Sequence, residues 1–246
     1  MSSTASPVDI SFDVRTDAGK GDPDSTSPTL RRYHSLLWSK ILPNGQHLTL
    51  DASKARGYYY LHHNSDLLGS HRLTSDTVVP TFRSWKRPAV RELIAQIPAV
   101  ELDEFQFFNH TIGGMMIFPG NRVSGVRTMN GERGMNPLIA DRFDLTLEAI
   151  RLHYLGHDNP LEKTISAYSS FFDLFVDFDG YVKFFLLEDL VDDGGAVKFF
   201  LPFEGFGVGT LPTTVEQYRA YRDAAVAFIV ARNARIETWV RENLGK

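Results

Sequence analysis

The sequence predicts an α+β fold: a single domain in which a small mixed sheet is packed by several helices, one of them a long C-terminal helix. Three observations carry that prediction. Helix-opening signals recur, with a capping residue followed by proline at Ser27-Pro28, Asn136-Pro137 and Asn159-Pro160, and each leads into an apolar stripe of helical period. Between them lie short runs rich in aromatic and β-branched residues, bounded by turn residues. No linker, internal repeat or low-complexity tract divides the 246 residues, and about 1.6 times the usual domain length of roughly 150 residues favours one domain.

The elements follow in order. Residues 1–8 are small and polar and read as a flexible arm, with the domain running from 9 to 246. Residues 9–24, DISFDVRTDAGKGDPD, suit a short strand leading into an irregular acidic loop. Pro28 opens a helix carrying Leu30, His34, Leu37 and Ile41 on one face, and Pro43-Asn44-Gly45 ends it. Short strands are expected at residues 47–50, 58–61 and 77–79. A short helix over residues 88–97 places Val90, Leu93, Ile94 and Ile97 inward and stops at Pro98. Phe105, Phe107, Phe108 and residues 115–118 lack helical period and read as buried strands. Residues 119–136 read as a polar hairpin or pair of loops, whose three Arg against one Glu give a local charge of +2.

A helix from Pro137 carries Ile139, Phe143, Leu147, Ile150 and Tyr154 to a stop at Gly156, and another from Pro160 carries Leu161, Ile165, Tyr168, Phe172 and Phe175. Residues 180–191 fit a helix or a strand, and the segment from Val197 has a weaker strand pattern. Thr213 and Glu216 form a capping box for the C-terminal helix, which runs through Tyr218, Ala225, Phe228, Arg232, Ile236 and Trp239.

Charge and composition exclude several classes of function. With 26 Lys and Arg against 30 Asp and Glu the net charge is −4, so any nucleic-acid contact must come from a local patch rather than a basic surface. The absence of cysteine excludes disulfides, thiolate nucleophiles and Cys-liganded metals. No run approaches the roughly 18 apolar residues of a membrane span, and MSSTASPVD lacks the features of a signal peptide. A cytoplasmic protein with no membrane partner is expected.

Five groups of residues are candidates for chemistry. Asp13, Asp22 and Asp24 lie in the acidic loop, where neighbouring carboxylates either divide acid and base work or hold a hydrated divalent cation; otherwise they stabilise turns. His34, Trp38 and Lys40 combine stacking and cationic groups suited to a nucleobase and its phosphate, although an aromatic stripe at helical spacing also reads as core. Asn109 and His110, beside Gly113-Gly114, are polar groups in an apolar setting that serve proton transfer or stand as satisfied core residues. Asn121, Arg122, Asn130 and Arg133, interleaved with glycines, offer phosphate and base contacts or form a solvated hairpin. Asp141, Asp144 and Glu148 make an acidic stripe, either solvated or placed to polarise water and stabilise an oxocarbenium-like centre. The patterns GxGxxG before a helix, GxxxxGK[ST], HExxH and GxSxG are absent.

The blocks FDVRTDAGKGDPDSTSPTLRRYHSLLWSKILPNG, FNHTIGGMMIFPGNR and RGMNPLIADRFDLTLEAIRLHYLG resemble a bacterial and prophage-associated family of unknown function, over most of residues 11–190. That resemblance implies no catalytic residue. A fainter resemblance is to anti-phage DNA glycosylases that excise modified bases, without their helix-hairpin-helix Gly/Pro-Asp pattern or GQDPYH-type loop. Together the residues point to a hydrolase of nucleic acid or a nucleotide-like ligand, a DNA glycosylase above all, working without a cofactor. Asp141, Asp144, His110 and Asn109 are its expected catalytic groups; Asn121, Arg122, Asn130, Arg133, His34, Trp38 and Lys40 are its expected substrate contacts. The alternatives are a non-catalytic protein-binding module and a metal-dependent phosphoesterase on Asp13, Asp22 and Asp24.

Overall fold

A computed structural model of the chain describes residues 6–55, 58–82 and 88–245. The domain is α+β, as expected. Its sheet is a four-stranded meander in the order β1 (Asp51–Ala55), β2 (Tyr58–Ser65), β3 (Gly69–Thr77), β4 (Met115–Pro119). Every pairing is antiparallel, not mixed, because a tight turn links β2 to β3 and β4 returns beside β3. The expected strand at 47–50 is only a bridge, Ile41 to His47, and of the one at 77–79 only Thr77 lies in β3, Val78 and Val79 being buried in the bend that follows. Of the expected N-terminal arm, residues 1–5 lie outside the described residues, and Val8 is already in the core.

Two cap-and-proline devices follow one another near the N-terminus. Asp22 caps α1 (Pro23–Thr26) and Ser27 caps α2 (Pro28–Trp38), each with proline in the first turn. The Asp17 carboxylate adds to the second cap, accepting from Ser27 Oγ at 2.5 Å and from the Thr29 N–H at 3.0 Å. α1 packs on β3 and α2 on β1 and β2.

After α3 (Pro88–Ile94), the Phe-rich stretch expected as strand is instead α4 (Ala99–Asn109). Its buried residues Leu102, Phe105 and Asn109 recur at helical spacing, while Phe107 faces water. A 3-10 turn, Ile112–Gly114, feeds β4, whose five residues are all buried. The loop expected at 119–136 contains a further helix, α5 (Met129–Met135), capped by Thr128. Asn136 ends α5 rather than opening a helix at Pro137, and α6 (Phe143–Tyr154) begins only after a turn through residues 137–142. The second expected helix breaks into α7 (Glu162–Ala167) and α8 (Ser169–Phe172), the ambiguous segment starts as α9 (Phe178–Phe184), and Val197 makes a bridge to Val191 instead of a strand.

The long helix α10 (Val215–Asn243) is capped by Thr214, one residue later than expected, with Gln217 bonding back to Thr213. It packs on α4 and on the 3-10 turn. The approach is close: a Cβ on Gly113 would lie 2.6 Å from the Ile229 carbonyl oxygen. Arg232 is wholly buried and donates to the carbonyls of Gly113 at 3.0 Å, Met115 at 2.8 Å and Phe185 at 3.1 Å. Among the described residues no helix is long and apolar enough to cross a membrane.

Candidate functional site

The short helix α1, the end of β3, the end of α4 and the turn before α6 converge on one hollow of about 220 Å³. Its lining combines the carboxylates Asp22, Asp24 and Asp141, the polar residues Gln106, Asn109 and His110, and the apolar Phe82. A second hollow, of about 370 Å³, shares the three carboxylates and adds Asp76 and Asn130. The acidic loop and the acidic stripe, read separately in the sequence, therefore meet.

Local chemistry fixes each carboxylate. Asp22 is the cap of α1, so Asp24 falls in its first turn, with the Asp24 carbonyl held by Arg31 Nη2 at 2.9 Å. Asp141 is held from both ends by Arg133: its N–H donates to the Arg133 carbonyl at 2.9 Å, and Arg133 Nη2 donates to its carbonyl at 3.3 Å. Ala140 and Asp141 are both left-handed, at φ 51° and 67°, and Phe82 is at φ 58°. Three of the five left-handed non-glycine residues among those described thus line one hollow, and such strain persists where surrounding structure enforces it.

The electrostatics follow from crowding. Burial pushes the Asp24 carboxyl up to about 7, with the charge of Asp22 adding most to it, a Thr77 backbone bond opposing and Asp141 contributing again. Burial likewise drives Asp76 well above the usual carboxylate range; Arg133 opposes this, and Asp141, Asp24 and Asp22 reinforce it. His110 is lowered by burial, and its Nδ1 donates to the Gln106 carbonyl at 2.7 Å, which leaves Nε2 as an acceptor. The Asp24 Oδ1, Gln106 Oε1 and Asn109 Oδ1 atoms are buried without a hydrogen-bond partner.

Several expected site residues have other work. Asp144 is fully buried, paired with Arg142 and accepting from the Phe200 N–H at 2.9 Å, so it is structural and lies outside the hollow. Arg133 is not a phosphate ligand: it is wholly buried, donating to Asp76 at 2.7 Å and Thr146 at 3.0 Å. His34 and Trp38 cannot stack on a ligand, because both are enclosed; Trp38 Nε1 donates to His34 Nδ1 at 2.9 Å and His34 Nε2 meets Ser75 Oγ at 2.7 Å. Lys40 lies over the rings of Trp38, Phe184 and Trp239, away from the acidic hollow. Asn121 and Arg122 are exposed and line neither acidic hollow, whereas Asn130 lines the second and donates to the Ser75 carbonyl at 2.9 Å.

Asp13 is tied to Arg15 at 2.6 Å. Among the described residues no three His, Asp or Glu side chains are gathered as a metal ion requires, so Asp13, Asp22 and Asp24 do not form the cation site of the phosphoesterase alternative. Sequence reasoning passed over Asp76, Gln106 and Phe82. Asp76 alone carried a signal, as an aspartate in a strand, where that residue is disfavoured.

Comparison with known proteins adds one finding. The family of unknown function DUF6994 matches residues 8–236. The chain belongs to that family. Membership confirms the resemblance seen in the sequence and brings no activity with it, and kinship with DNA glycosylases gains no support. No curated protein and no solved structure matches this DUF6994 member.

Proposed function

We propose that this chain hydrolyses the N-glycosidic bond of a nucleotide-like ligand whose ring enters the acidic hollow. The observation that carries the reading is Asp24, a buried carboxyl held near 7 beside two further carboxylates in one cavity. A group titrating there passes protons at neutral pH, giving one to a departing base or taking one from the attacking water. The Asp141 side chain, 29 % exposed, supplies negative charge to the oxocarbenium-like centre and orients the water. Arg133 and Asp76 position Asp141, and Phe82 offers a flat wall to the ring. A base turned out of a duplex is one form in which such a ligand arrives, its phosphates staying outside the acidic hollow. Excision of a modified DNA base in phage defence belongs to this same proposal.

The test is release of free base from nucleosides and from modified and unmodified DNA, read by mass spectrometry in EDTA. Base release should persist in EDTA and fall about 10²–10⁴-fold in Asp24→Asn with its folded circular dichroism intact. Substrates left intact in EDTA but cut at phosphodiesters on adding Mg²⁺ or Mn²⁺, or an Asp24→Asn variant of undiminished activity, would overturn the reading.

A further inference from the structure

The lining of the acidic hollow is one-sided in two independent respects. Three carboxylates face it, and no Arg or Lys is among its lining residues. Two guanidinium groups lie behind the lining: Arg133 pairs with Asp76 at 2.7 Å and reaches Asp141 Oδ1 at 3.9 Å, and Arg31 donates to the Asp24 carbonyl with its Nε and Nη1 unpaired, so that two cations stand against four carboxylates. The hollow is therefore a region of negative potential that repels phosphate and draws in positive charge.

The second respect is the kind of hydrogen bond left unmade. Asn109 is 3 % exposed, and its Oδ1 has no partner; Gln106 Oε1 and Asp24 Oδ1 are likewise buried and unpaired. All three are acceptors, and His110 Nε2 adds a fourth. An unpaired buried acceptor is costly, so a group that brings N–H donors to this end of the hollow regains what the folded chain forgoes. Phe82, Val79 and Pro80 also line the hollow, and an aromatic ring there suits a flat heterocycle and favours a cation over its face. At about 220 Å³ the space lies below the roughly 300–1,000 Å³ of larger ligand pockets and accepts a single ring system.

Building on the hydrolase reading, we propose that the substrate is a cationic N-glycoside, in which a positively charged, N–H-bearing heterocycle is attached to the sugar. The C–N bond breaks with its electron pair passing to the ring nitrogen, which discharges the cation. The oxocarbenium ion left behind is held by the carboxylates, water adds to the sugar carbon, and its proton goes to Asp24 and then to solvent. No proton is given to the leaving base. The same chemistry occurs in quaternised purine nucleosides, in pyridinium nucleotides and in alkylated DNA.

Two measurements separate this inference from the hydrolase reading. Binding of 1-methylnicotinamide is compared with binding of neutral nicotinamide, which has the same ring and amide but no charge and, like its partner, no bond to cleave. Hydrolysis of 7-methylguanosine, nicotinamide mononucleotide and an oligonucleotide containing 7-methylguanine is compared with that of the unmodified counterparts, each corrected for its uncatalysed rate. The cation should bind at least about tenfold more tightly, and corrected kcat/KM should favour the cationic glycosides by at least about tenfold. Asn109→Leu, with wild-type melting behaviour, should weaken binding of both rings, because it removes an acceptor for the N–H groups they share.

Tight binding of the cation with no hydrolysis of any substrate would overturn the hydrolase reading and, with it, the cationic glycoside as substrate, leaving selection of the charged ring alone. Hydrolysis of neutral nucleosides at equal or greater corrected rates would overturn the inference and leave the hydrolase reading standing. Equal binding of the charged and neutral rings would also overturn the inference. A preference confined to the oligonucleotide would identify DNA as the source of the ring.

Discussion

Asp24 sits in the folded chain against its own charge. Its carboxyl titrates near 7 in place of 3.8, so folding favours the protonated form. The stabilisation is full below the unfolded value and is lost as pH rises through about 7, at about 1.4 kcal/mol for each unit of difference. Asparagine at this position mimics the neutral acid at every pH. Asp24→Asn should therefore melt at a higher temperature than wild type near pH 8 and at nearly the same temperature near pH 4. Differential scanning calorimetry across that range checks it. A carboxyl that costs stability above pH 7 fits the proton-transfer role proposed for it.

At the scale of elements, two aspartates at either edge of the α6 N-terminus differ sharply. Asp144 and Arg142 form a fully enclosed pair tied to the Phe200 N–H and the Thr210 carbonyl, so Asp144→Ala leaves a buried cation and should cost about 3–5 kcal/mol in urea unfolding. Asp141→Asn should stay within about 0.5 kcal/mol of wild type, since asparagine tolerates the left-handed backbone at 141. The elements built from local signals were legible in the sequence: Ser27-Pro28 opens α2 because cap and proline act within one turn. α4 was not, because an aromatic run looks uniformly apolar until packing decides that Phe105 turns inward and Phe107 outward. The candidate site was legible in pieces. Asp24 and Asp141 were each visible as acidic candidates, but only tertiary structure brings α1 to the turn before α6. The roles read for Asp144, His34 and Trp38 failed because burial converts a reactive side chain into a structural one.

Across the whole molecule, α10 acts as the strut against which sheet and helices are assembled. Arg232 joins three separate carbonyls from the 3-10 turn, β4 and the end of α9, and burial lowers its own guanidinium to about 10. Arg232→Leu strands those carbonyls and should lower the unfolding free energy by roughly 3 kcal/mol or more, with one cooperative urea transition shifted as a unit. A transition that split in two would show that α10 is not part of a single cooperative core. Because the hollow lies at the junction of elements braced by this strut, its geometry depends on the integrity of the entire domain. The left-handed pair Ala140 and Asp141 sets a limit on improving the protein. Anyone engineering for heat resistance would choose Ala140→Gly, which relaxes the backbone at a strained turn. The same freedom would let the carboxylate of the next residue wander, so durability and the proposed turnover are set against each other across one peptide bond.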